Sequence, residues 1–264
     1  MSPLPYFREA GNGPGVVCLH SNASSSGQWR ALMETLAARF HVLAPDSYGA
    51  GKSPPWPAER EVSLQDEINL LEPVFLRAGS HHALVGHSYG AAVALVAAVN
   101  RPGRVRALAL YEPTLFSLLD QERDPPNESE GILRAVTGAG SALADGDLDG
   151  AARCFIDYWM GPGTWAVMPE ARKEPIAASV RNVCGWRDAL MKEPAPLSAF
   201  ARLDIPVLYM MGRDSPASSR GVGRLLTRTL PRVEVLEFPG VGHMGPITHP
   251  QVINQAIARF LERH

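Results

Sequence analysis

Cysteine is scarce in this chain of 264 residues, with only Cys18, Cys154 and Cys184. An odd number at wide spacing implies neither a disulfide framework nor a zinc site. Free thiols fit a reducing compartment, so a cytoplasmic protein is expected. Neither sign of charge dominates: 25 basic and 27 acidic side chains leave a net charge of −2. That balance offers no general attraction to nucleic acid or to an anionic membrane. The densest basic stretch, Arg101 to Arg106, is interrupted by Pro102 and Gly103. Long apolar runs are also missing. The most apolar segment, Ala91 to Val99, is too short to span a bilayer and reads as a buried helix. Met1-Ser2-Pro3-Leu4-Pro5 has neither the basic nor the apolar region of a signal peptide. What remains is ordinary globular composition, 45% hydrophobic and 20% charged, at a length that suits one α/β domain with an insertion.

Strand and helix patterns alternate along much of the chain, which argues for a mostly parallel sheet covered by helices on both faces. Strands are expected at 16–19, 42–45, 83–85, 105–111, 206–211 and 233–238. Helices are expected at 28–40, 64–76, 91–99, 222–230 and 250–261. From 114 to 198 the alternation stops. Gly and Pro are frequent there, and one helix is plainly amphipathic, with Leu148, Ala152, Phe155, Ile156 and Trp159 on one face. The expected organisation is an α/β core of residues 1–113 and 199–264, interrupted by a helical insertion at 114–198.

One motif carries chemistry. Gly86-His87-Ser88-Tyr89-Gly90 lies between an expected strand and an expected helix, the setting of a nucleophile elbow. Such a tight turn requires small residues on either side of the nucleophile, and glycine supplies them. It lifts the serine to the carboxyl edge of the sheet, at a helix N-terminus whose dipole and free N–H groups favour developing negative charge. A serine hydroxyl still needs a base within hydrogen-bond reach. Of the eight histidines, His243 is the candidate, in the glycine-rich loop 240–245 after the last strand. His87 would point away from Ser88 and reads as structural; His81 and His82 read as surface residues; His249 reads as the start of the last helix.

With these residues in view, the chain resembles the α/β-hydrolase superfamily over essentially its whole length. Leu19-His20-Ser21-Asn22, the segment Pro45 to Ser53, the elbow and the loop 240–246 carry the match. The resemblance implies an α/β-hydrolase fold with a sheet of about eight strands, a helical cap and a Ser–acid–His triad in that chain order. It also implies an oxyanion hole from the backbone N–H groups of Asn22 and Tyr89. The family usually has His-Gly where this chain has His20-Ser21. His20 is expected to brace its loop and Asp46 to form a turn.

The third triad member has two candidates. In most relatives it follows the strand before the last, in a pattern like Gly-x-x-Asp. Here the sequence is Gly212-Arg213-Asp214-Ser215, so serine takes the usual place and Asp214 lies one position early. Glu112, after the strand 105–111, is the rival and the narrowly preferred one, because some haloalkane dehalogenases carry their acid at that strand end.

The activity expected is hydrolysis of a small or medium carboxylic ester through an acyl-enzyme, with no metal or organic cofactor and a small molecule as the partner. Carbon–carbon cleavage of a diketone, or slow-turnover ligand reception, would use the same residues. Halide release and epoxide opening are disfavoured, because those relatives have an aspartate where this chain has Ser88. Phe116, Phe155, Tyr158, Trp159, Trp165 and Trp186 are candidates for an apolar pocket or for the insertion's own core.

Overall fold

A computed structural model describes residues 4–57, 59–121 and 128–264. In chain order the elements are β1 (Phe7–Ala10), β2 (Gly15–Leu19), α1 (Arg30–Leu36), β3 (His41–Pro45), α2 (Leu64–Arg77), β4 (His82–His87), α3 (Tyr89–Asn100) and β5 (Val105–Tyr111). Six helices follow: α4 (Glu130–Ala144), α5 (Leu148–Met160), α6 (Thr164–Val167), α7 (Glu170–Val180), α8 (Val183–Met191) and α9 (Leu197–Phe200). The chain closes with β6 (Val207–Gly212), α10 (Ala217–Thr229), β7 (Val233–Phe238), α11 (Gly245–Thr248) and α12 (Pro250–Leu261).

The strands form one sheet in the order β1-β3-β2-β4-β5-β6-β7, with β1 antiparallel and the others parallel. The inner strands are near-continuous apolar runs because both faces are covered. Successive residues feed opposite cores: Val17, Leu19, Leu84, Leu108 and Tyr209 belong to one, and Val16, Cys18, Val85, Ala109 and Leu208 to the other. Helices α2 and α3 pack on the first face, α1 and α12 on the second. The chain passes from β2 outward to β3 and then crosses back to β4 on the other side. That reversal opens a crevice between the carboxyl ends of β2 and β4, where α/β sheets bind ligands. Both the His20–Asn22 loop and Ser88 emerge there.

The expected strands and helices appear close to their predicted positions, and β5, β7 and α12 match to the residue. The sheet has seven strands among the described residues, against the eight or so that the resemblance implied. One strand had no sequence signal. Phe7-Arg8-Glu9-Ala10 has no β-branched run and is held by pairing with β3, from Phe7 opposite Pro45 to Ala10 opposite Val42, and by ion pairs of Glu9 with Arg77 and His41. The helix expected at 28–40 is shorter, a 3₁₀ turn over Ser26–Trp29 and then α1. It stops because the N–H groups of Arg39 and Phe40 both turn back onto the Leu36 carbonyl, at 3.0 and 2.9 Å, to aim the chain into β3. Helix α10 begins at Ala217, five residues early, after Pro216. His82 is a correction: it is buried, not a surface residue. Its ring stacks on Phe75 at 5.5 Å, and Nδ1 bonds the Gly79 carbonyl at 3.0 Å. Burial holds its pKa below the ordinary histidine value.

Between the neighbouring strands β5 and β6, residues 114–198 contribute helices and no strand among those described. No described helix is long and apolar enough to cross a membrane.

Candidate active site

Strand β4 runs directly into Ser88, whose backbone turns to φ +56°, ψ −117° before α3 begins at Tyr89. A non-glycine residue there costs roughly 1–3 kcal/mol and persists only where its surroundings over-determine it. They do. The Ser88 N–H donates to the Tyr111 carbonyl at 2.9 Å, and its carbonyl accepts from the Ala92 N–H at 3.0 Å. The flanking glycines are required by space. A Cβ on Gly86 would lie 2.5 Å from Ala91 Cα, and one on Gly90 would lie 2.4 Å from the Leu19 carbonyl oxygen.

Ser88 Oγ lies 2.9 Å from His243 Nε2, and His243 Nδ1 donates to Glu112 Oε2 at 2.6 Å. Glu112 directly follows β5 and is itself left-handed, at φ +46°. Its N–H is tied to the Met210 carbonyl at 3.1 Å. The side chain is fully buried, so its hydrogen-bonding capacity must be met inside the protein. Besides His243, the Gly212 N–H donates to Oε1 at 2.7 Å, and the Ser215 hydroxyl donates to the same oxygen at 2.6 Å. Ser215, standing where the family pattern would have an acid, therefore donates to the carboxylate that follows β5. Asp214, the rival, is exposed and makes no hydrogen bond to His243 among the described residues.

The loop that carries His243 is pinned from beneath. His87 Nε2–H donates to the His243 carbonyl at 2.9 Å, and the Tyr111 hydroxyl donates to the Gly242 carbonyl at 2.8 Å. His87 Nδ1 accepts from the Gln28 amide at 3.1 Å. Gln28 Oε1 in turn accepts from both the N–H and the hydroxyl of Ser21, each at 3.1 Å. This tautomer suits a neutral ring, and burial, then the nearby His243, hold the pKa of His87 well below the ordinary value. One histidine and one glutamine thus couple the elbow, the base loop and the loop after β2.

That loop has a defined path without the usual glycine, because the Ser21 side chain is what Gln28 holds. His20 braces it as expected: Nδ1–H donates to the Ser21 carbonyl at 2.7 Å, and Nε2 accepts from the Ser47 N–H at 3.0 Å. Asp46 forms its turn by accepting from Ser26 N–H at 2.6 Å and Lys52 N–H at 2.9 Å. The backbone N–H groups of Asn22 and Tyr89 have no partner among the described residues. Both residues adjoin Ser88: Tyr89 follows it in the chain, and Asn22 lines the same cavities.

Helix α5 covers the site. The Trp159 indole stacks on the His243 imidazole with centroids 4.0 Å apart and planes 27° apart, and Phe155 packs on Trp159. Trp159 and Phe155 line the cavities at Ser88, as do Phe116 and Trp186 on the inner side. Tyr158 and Trp165 do not: the first bonds Ser218 Oγ at 2.6 Å, and the second donates to Asp149 at 2.8 Å. Sequence reasoning did not find Gln28, the stacking role of Trp159, or Ser219, whose hydroxyl lies 3.3 Å from His243 Nδ1. Gln28 carries no local signal, and its role arises from contacts across 59 positions of chain. Among the described residues, no three His, Cys, Asp or Glu side chains cluster as metal ligands would.

Comparison with known proteins agrees with this architecture. The family model described as the alpha/beta hydrolase fold matches residues 14–250, so the chain belongs to that family. It is a hydrolase. More particularly, it is 32% identical over 288 aligned positions to a haloalkane dehalogenase of Bradyrhizobium diazoefficiens, covering 97% of this chain and 90% of that one. It is 26% identical to the pimeloyl-[acyl-carrier protein] methyl ester esterase of Chromobacterium violaceum, covering 97% and 98%. Among solved structures, an alpha/beta hydrolase from Sphaerobacter thermophilus superposes with a TM-score of 0.76 at 26% identity, covering 97% and 96%.

Proposed function

We propose that this hydrolase cleaves carboxylic esters through an acyl-enzyme on Ser88. The observation that carries the reading is the unbroken chain from Ser88 Oγ through the His243 ring to Glu112. In this mechanism His243 Nε2 takes the Ser88 proton as Oγ bonds to the carbonyl carbon. The oxyanion that forms is held by the N–H groups of Asn22 and Tyr89. Glu112 orients the imidazole and offsets its charge while protonated, and the face of Trp159 attracts that cation. His243 then returns the proton to the alkoxide oxygen as the ester bond breaks. Water, deprotonated by the same nitrogen, attacks the acyl-enzyme and releases the acid. The helical segment 114–198 acts as the cap over this chemistry.

The nucleophile's identity separates ester cleavage from dehalogenation. Attack of a serine oxygen on an alkyl halide would leave an alkyl ether, which water does not hydrolyse under these conditions. Attack on an ester leaves another ester, which it does. A methyl ester esterase among the relatives supports the same reading. The test is turnover of 4-nitrophenyl acetate beside a Ser88→Ala control. Turnover that falls by at least about 10⁴-fold in the variant is expected. Equal rates for the two proteins would overturn the proposal.

A further inference from the structure

Two spaces of very different size meet at Ser88. One is an open cleft of about 900 Å³, lined by His243, Met244 and Ile247 on the core side and by Met160, Met168 and Ile176 on the helical side. The other is a far smaller chamber of about 20 Å³, lined by Thr114, Phe116, Val136, Trp186 and Leu190. On the same measure a single water needs roughly 10–15 Å³. Phe155 and Trp159 line both spaces and stand between them. Much of the chamber wall is close-packed: Val136, Trp186 and Leu190 are at most 5% exposed and belong to the main core, with the half-buried Arg187 and Met191 completing it. Enlarging it means displacing close-packed side chains.

The two arms of an ester are not equivalent at such a site. His243 Nε2 must deliver a proton to the leaving-group oxygen, and later must take one from the attacking water. Both therefore sit on the His243 side of the acyl carbon. His243 lines the cleft and not the chamber. The acyl group, which stays on Ser88 while the alcohol departs, is left with the chamber.

Building on the ester-hydrolase reading above, we infer that the substrates are short-acyl esters, acetyl or little larger, of bulky, largely apolar alcohols. The chamber admits the acyl methyl group, and the cleft admits the alcohol.

Hexyl acetate and ethyl hexanoate test this directly, because they are isomers with the arms exchanged. Each further methylene forced into a filled pocket costs roughly 10- to 200-fold in specificity. Wild-type kcat/KM is expected to favour hexyl acetate by at least about 100-fold. A second variant, Leu190→Ala, opens the chamber and should reduce that preference at least tenfold. Its circular dichroism and melting curve show whether it has folded. Parity between the isomers, or preference for ethyl hexanoate, overturns the inference while leaving ester hydrolysis intact. So does an unchanged preference in a folded Leu190→Ala protein. Absence of Ser88-dependent turnover of any ester sinks the ester reading itself, and the inference with it.

Discussion

Helix α3 stands directly behind Ser88 and helix α7 lines the cleft in front of it, and the two are built on opposite terms. In α3, ten of twelve residues are buried, apolar all round, and it holds the strained Ser88 against the sheet. In α7, one residue of eleven, Val180, is buried, and Pro175 sits inside the helix, where it removes a backbone hydrogen bond. The buried helix is fixed by packing on every side and can carry backbone strain. The exposed one has little to lose from substitution. On the proposed reading, chemistry falls to the helix that cannot vary, and the shape of the bound alcohol to the one that can.

The largest test of this contrast lies at Glu112, the proposed triad acid. Glu112→Gln should lower kcat/KM by about 10²–10⁴-fold, because it removes the acceptor that orients His243. Asp214→Asn, exposed and off the hydrogen-bond chain, should leave kcat/KM within about twofold. Equal losses at both positions in steady-state kinetics would mean that the acid has been misassigned.

A smaller effect is expected behind α3. Glu67, fully buried on α2, accepts from the Tyr89 hydroxyl at 3.2 Å and from the Tyr48 N–H at 3.3 Å. Burial raises its pKa from the ordinary 4.5 to about 7. The folded protein thus keeps a proton that the unfolded chain has already released between those two values. Stability should fall as pH rises from 4.5 to about 7, by an amount on the order of 3 kcal/mol. In Glu67→Gln that slope should vanish and the melting temperature at pH 8 should rise. Melting curves at pH 5 and pH 8 for the two proteins settle the sign.

The smallest effect belongs to α7. Ile176→Ala, at the cleft wall, should shift KM for bulky acetates severalfold and change stability by less than about 1 kcal/mol. A loss of fold there would break the contrast between the two helices.

Much of this was legible in the chain. The Gly86-x-Ser88-x-Gly90 turn, the strand before it and the helix after it are local patterns, and a local pattern fixes a local backbone. The loop holding His243 was found for the same reason, as a histidine among glycines after the last strand. Strand β1 and the early end of α1 were not legible, because pairing and a tight turn made them, not propensity.

The sequence by itself determined the fold class and pointed to Ser88 and His243, since each depends on neighbours within a few positions. The tertiary structure alone brought Glu112 and not Asp214 to the His243 ring, placed Ser215 as a donor to Glu112, joined Gln28 to His87, and divided the space at Ser88 into a chamber and a cleft. Those features bring together groups such as Glu112 and His243, 131 positions apart. Which groups meet over such distances is set by sheet order and by the packing of the helical segment, and no short stretch of sequence encodes either.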